Sequence, residues 1–227
     1  MFDLTYLMFL APGILLAMWA QWKVHSAYAE ASQYAPASGF SGAEAAAAML
    51  DSAGVEQVRI EPVEGFLSDH YVPGERVLRL SPGVYGSRSL AALGIAAHEA
   101  GHAIQDATRY PLLVVRNLMV PLAAFGSNAA WIIIVIGFMM QLLGLVIAGI
   151  VVFSLTVLFQ LVNLPVEFDA SRRARIALVD GGLVTAEEDR LVAKVLNAAA
   201  WTYVAATLTS VLMLLYFLMR AGQLSRD

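Results

Sequence analysis

Between Asn117 and Val166 the chain runs for fifty residues without one Asp, Glu, Lys or Arg. A single apolar helix needs about 20 residues to cross a ~30 Å hydrocarbon layer, so a stretch of this length predicts two crossings folded back as a hairpin. Its turn is expected around Gly137 to Gln141, dividing spans near Leu118–Phe138 and Leu142–Leu164. Two further charge-free stretches, Leu4–Trp22 and Ala198–Met219, bring the predicted total to four transmembrane helices. Pro12-Gly13 inside the first is tolerable in a membrane helix, and Trp19, Trp22 and Lys23 read as an interfacial belt. A cleavable signal peptide is the bland alternative for the first stretch; it lacks a basic leader, carries Asp3 and is too long. Overall, 59% of residues are hydrophobic and 14% charged, against about 25% charged in soluble domains, so a wholly water-soluble globule is excluded. The spans hold no ionisable residue of the kind that ion pathways place at membrane depth, which argues against a channel or transporter.

These limits divide the chain into a first transmembrane helix at residues 1–23, a polar insert at 24–110, the hairpin at 111–166, a helical segment at 167–197, and a last transmembrane helix with its tail at 198–227. Because the hairpin crosses twice, the insert and segment 167–197 share one side of the membrane. Twelve of the fourteen basic residues lie there, and only Arg220 and Arg226 lie opposite. The positive-inside rule makes that side cytoplasmic, in a multi-pass membrane protein. Arg172, Arg173 and Arg175 read chiefly as topology determinants. With a net charge of −4 and no basic stripe, nucleic acid is not expected as a partner; the lipid bilayer is.

The insert reads as a small α+β unit. Ser41 opens a short Ala-rich helix over Ala43–Ala53. Strand-like alternation follows, with Val58 and Ile60 opposed to Arg59 and Glu61, then Leu78 and Leu80 opposed to Arg79, and Pro73-Gly74 turning between them. The last helix is expected to begin after Ser87 or Ser89 and to run to about Tyr110, before Pro111.

On that helix stands His98-Glu99-Ala100-Gly101-His102. Residues four apart share a helix face, so both imidazoles can reach one Zn²⁺, while Glu99, turned about 100° from His98, can address a metal-bound water. The bland reading is a pair of surface histidines without a metal. With no cysteine in the chain, any metal must be held by His and carboxylate. Catalytic zinc commonly has three protein ligands and one open position, so two histidines leave the site incomplete.

The motif and its surroundings resemble the neutral zinc metallopeptidases of bacterial membranes, the YugP-type family. The likeness rests on His98 through Gln105, on Ser68-Asp69-His70-Tyr71, on Leu80-Ser81, and on Leu164-Pro165-Val166-Glu167-Phe168-Asp169-Ala170-Ser171-Arg172-Arg173-Ala174, and it spans nearly the whole chain. It implies a membrane-embedded zinc-dependent protease with a zincin-like insert, in the bacterial inner membrane. A looser similarity to HtpX-like membrane proteases suggests a third zinc ligand from a later helix.

Glu167 is the favoured third ligand, against a simple interfacial carboxylate. Asp169, about 200° around a helix from Glu167, cannot face the same metal. Asp106, four residues after His102, is either a second-shell group that orients a liganding imidazole or a solvated acid at a helix end. His70 is either a donor to the oxyanion, or to substrate, or a loop histidine packed against the helix; Tyr71 has the same two readings. Gly181-Gly182 reads as a helix stop. The leading function is a zinc metalloendopeptidase with Glu99 as general base. It would act on peptides or membrane proteins held along the edge of the small sheet. The alternative is a noncatalytic membrane scaffold with a structural zinc, for which Glu99 would have no use.

Overall fold

The computed structural model describes residues 3–225, without the side chains of Phe125 and Ser127. Arg226, counted above on the side opposite the insert, lies outside the described residues. The elements are α1 (Leu4–Ala31), α2 (Gly42–Ser52), β1 (Arg59–Pro62), β2 (His70–Val72), β3 (Val77–Leu80), α3 (Pro82–Tyr85), α4 (Leu90–Ala107), α5 (Pro111–Met139), α6 (Leu143–Asp180) and α7 (Glu188–Leu224). The protein is mostly helical, with one small sheet.

Three helices, α1, α6 and α7, are long and apolar enough to cross a membrane; the bent pair Pro111–Ala124 and Asn128–Met139 makes a fourth if it counts as one span. All of these helices outrun the charge-free stretches that announce them. α1 continues past Lys23 to Ala31, α6 passes through Pro165 to Asp180, and α7 begins at Glu188, ten residues before Ala198. A change from apolar to polar composition marks a change of solvent, whereas the helix persists wherever good helix formers continue.

The residues form two compact units. The first comprises Met1–Ala20, Val114–Pro165 and Trp201–Asp227. Its interior is built from Ala130, Ile134, Val146, Ile150, Phe153, Met213, Tyr216 and Phe217. Phe217 meets Trp131 and Phe153 edge-on, with ring centroids 5.3 and 5.6 Å apart. A Cβ on Gly149 would lie 3.0 Å from the backbone nitrogen of Ile134, so α5 and α6 approach at a residue without a side chain, as packed membrane helices do. Leu118, Ile132, Val151 and Leu158 point outward, an apolar surface suited to lipid.

The second unit comprises Gln21–Leu113 and Val166–Ala200. Its core surrounds α4, whose Ala91, Ala92, Leu93, Ala96, Ala97, Ala100 and Ala103 are fully buried. Ser41 caps α2 reciprocally with Glu44: the Glu44 N–H donates to the serine hydroxyl, and the Ser41 N–H donates to the glutamate. The sheet has the order β1-β3-β2, with β1 parallel and β2 antiparallel to β3. Pro73-Gly74 therefore turns the β2–β3 hairpin. His70, read from sequence as a loop residue, belongs to β2 and pairs with Arg79. Three residues are too few for alternation to register as a strand in the sequence, and β3 supplies the pairing that makes them one.

Gly101 sets the distance between α4 and α6. A Cβ there would lie 2.8 Å from the Ala170 carbonyl oxygen and 3.3 Å from its Cα, both backbone atoms that cannot rotate away. Gly101→Ala should therefore destabilise this unit by about 1–3 kcal/mol, the range for overpacked sites. The readout is a lowered unfolding midpoint of the purified protein in detergent; an unchanged or raised midpoint would show that the two helices can separate freely.

Candidate metal centre

Ser89 starts α4 by accepting a hydrogen bond from the Ala92 N–H, and the helix then carries His98, Glu99 and His102 at unbroken helical spacing. The two imidazoles stand edge to face, with centroids 4.8 Å apart. Glu167 comes from α6, 3% exposed. Its Oε2 lies 3.2 Å from His98 Nε2 and 3.4 Å from His102 Nε2. The three ligand atoms lie within 4.8 Å of one another, forming a group that can hold a metal ion. Two ligands bound tetrahedrally to one zinc at ~2.0–2.1 Å stand about 3.3 Å apart, so the donor spacing and chemistry both fit zinc.

Gln105 fixes the orientation of one ligand. It is fully buried, and its Nε2 donates to the Val166 carbonyl and to Asp169 Oδ2, each at 2.9 Å. A carbonyl and a carboxylate only accept, so the amide cannot be flipped. Its Oε1 must then face His102 Nδ1, 3.0 Å away. Nδ1 is therefore the protonated nitrogen, which leaves Nε2 of His102, on the Glu167 side, as the atom that can ligate a metal. Asp169 is held in turn by Arg172 and Arg173. The Ser171 hydroxyl stands 3.1 Å from Nδ1 of His98, a comparable support for the second imidazole.

These contacts correct the reading of Asp106. It accepts a hydrogen bond from the Tyr71 hydroxyl at 2.9 Å, and the residue that braces His102 is Gln105. Position 105 faces α6, while Asp106 faces β2. Burial, followed by the bond to Asp106, pushes the Tyr71 phenol up from its ordinary range, so it stays a donor. His70 is not brought to the cluster. Its side chain is exposed, and its Nδ1 contacts the Ser68 carbonyl at 2.7 Å. Tyr71 reaches α4, and alternation along β2 turns His70 to the opposite face of the sheet.

Glu99 stands apart from the three-residue group. Its Oε2 accepts a hydrogen bond from the Tyr71 backbone N–H at 3.1 Å. Burial pushes its carboxyl up from the ordinary carboxylate range, although His98 and His102 pull the other way. A raised carboxyl is better matched to proton transfer near neutral pH than a free one. Sequence reasoning missed the bracing roles of Gln105, Ser171 and Asp169. A signal for Gln105 was present: residues 98, 102 and 105 follow the i, i+4, i+7 pattern, which puts an uncharged polar residue on the ligand stripe.

The chain matches, over residues 6–222, the family model described as "Putative neutral zinc metallopeptidase". It belongs to that family. It is also 46% identical over 204 residues to the "Putative membrane protease YugP" of Bacillus subtilis (strain 168), covering 90% of this chain and 91% of that protein. No solved structure matches it significantly. As a member of the neutral zinc metallopeptidase family, the chain takes zinc as its cofactor, and His98, His102 and Glu167 form the cluster that can hold it.

Replacing Gln105 with Leu removes the acceptor for His102 and two donors at once. A loss of about 10–100-fold in zinc affinity is expected, measured by competition with a chelating indicator, as for other residues that orient ligating imidazoles. Undiminished affinity would show that His102 needs no brace.

Proposed function

We propose that this protein is a membrane-embedded zinc endopeptidase that hydrolyses peptide bonds of peptides or membrane proteins. The observation that carries the reading is the arrangement around Glu99: a carboxylate outside the ligand group, which among the described residues has three donors rather than four. A structural zinc site is closed by four protein ligands and has no use for such a carboxylate, which favours the peptidase over the scaffold.

His98, His102 and Glu167 would hold the metal. Zinc, when bound, lowers the pKa of a coordinated water and polarises the scissile carbonyl. Glu99 takes a proton from the attacking water and delivers it to the leaving amine, so one group serves as base and then acid. The Tyr71 N–H holds the Glu99 carboxylate toward this task, and the Tyr71–Asp106 bond ties β2 to α4. An extended substrate segment would add to an edge of the small sheet, where backbone groups give affinity without dictating sequence.

Glu99→Gln should keep stoichiometric zinc and lose at least about 10²-fold in peptidase rate, the low end of general-base contributions. Glu167→Ala should lose the metal as well, so metal analysis beside the rate separates the two roles. Full activity in Glu99→Gln would sink the mechanism.

We further propose four crossings, with α5 counted as one, in the bacterial inner membrane, and a zinc site on the cytoplasmic side. Support comes from the ten basic residues in the insert and in segment 167–197, together with Lys23 and Arg116 at the adjoining span ends. A reporter that works only in the periplasm should be silent when fused after Gln33 and active after Gly222. The reverse pattern inverts the orientation.

A further inference from the structure

We infer that the loop of residues 63–69 is a bilayer-contacting element, with Phe66 seated in the lipid headgroup layer. Phe66 is 63% exposed, yet it is held in place. Its ring stacks on His25 with centroids 6.0 Å apart and planes 2° from parallel, and it meets Tyr28 edge-on at 5.5 Å. Both partners lie on α1. The loop is braced on its far side: the Ser68 hydroxyl donates to the Glu64 carbonyl, and Asp69 accepts from the Ser81 N–H and hydroxyl. Gly65 and Leu67, at φ values of 116° and 51°, turn the chain on either side of Phe66.

The position along α1 identifies the occupant. After Asp3 the next charged residue of the chain is Lys23, so a helix that crosses the bilayer leaves the hydrocarbon there. Trp22, 63% exposed, marks the interface by residue type and place. His25 lies three residues on, about 4.5 Å farther along the axis and about 60° around it. A ring held between His25 and Tyr28 therefore stands beside the first two helical turns of α1 beyond Trp22 and continues its aromatic stripe. An isolated exposed Phe needs no explanation. One that is packed by two aromatic rings of a membrane helix, just beyond its last apolar turn, extends the interfacial belt across the loop.

The loop passes through Asp69 into β2, whose Tyr71 N–H meets Glu99. Seating Phe66 in the headgroups would hold the β2 edge at the bilayer surface. On the peptidase reading above, the favoured substrates are then segments of membrane proteins that emerge from the bilayer, rather than free soluble peptides.

The absence of native cysteine makes the test direct. Full-length Phe66→Cys and Glu56→Cys, the latter an exposed site on the insert, are labelled with an environment-sensitive fluorophore. Both are reconstituted in phosphatidylcholine vesicles containing nitroxide lipid at headgroup depth. The Phe66→Cys label should show a blue-shifted emission and lose more fluorescence to the nitroxide lipid than the Glu56→Cys label. If it is instead quenched by aqueous iodide as fully as the Glu56→Cys label, with no lipid quenching, the loop faces water and the inference falls. The measurement needs no catalysis, so its outcome is separate from that of the peptidase reading. If the loop does contact lipid, Phe66→Ser should slow cleavage of a bilayer-anchored peptide while leaving a soluble peptide unaffected. Equal rates on the anchored peptide for Phe66→Ser and the native chain would remove the substrate preference.

Discussion

The second unit depends on the approach of α4 to α6. A buried carboxylate beside two nearly buried imidazoles is a costly arrangement unless something compensates it, because each group gives up water. Here Glu167 meets both His98 and His102, and Gly101 permits the two backbones to come close enough for it to do so. A zinc ion held by ligands from both helices would join them more firmly than packing alone. Its binding energy would then also be folding energy for this unit.

Behind the ligands, the polar groups form a connected series. His102 donates to Gln105, Gln105 donates to Asp169, and Asp169 is met by Arg172 and Arg173. Each buried donor or acceptor in this series has a partner, which is what makes a polar interior tolerable. The direction of the series also has a chemical result, because the acceptors at its far end dictate which nitrogen of His102 is free. The arginine cluster that reads from sequence as a topology determinant thus has a second use, in holding Asp169.

Glu99 is served from the other side, by β2. A sheet of three short strands has little stability alone, and Tyr71 binds its edge to α4 through its hydroxyl on Asp106 and its N–H on Glu99. The metal ligands therefore depend on α6, and the carboxylate beside them depends on the sheet. These two supports meet on α4.

The membrane character, the helical class and the His98-Glu99-x-x-His102 motif were legible in the sequence, because each rests on local spacing: runs of apolar residues long enough to span lipid, and imidazoles four apart on one helix. Glu167 could be selected as a third ligand by resemblance and by where it follows an apolar stretch, but nothing local to residue 167 encodes its distance from His98. That distance belongs to the tertiary structure, as do the pairing of His70 in a strand, the turning of Asp106 toward Tyr71, and the bracing of His102 by Gln105. In each case the partner is remote in sequence or the choice lies between adjacent residues of one helix. Periodicity tells which residues share a face; only the packed neighbours, α6 on one side of α4 and β2 on the other, decide what each face meets.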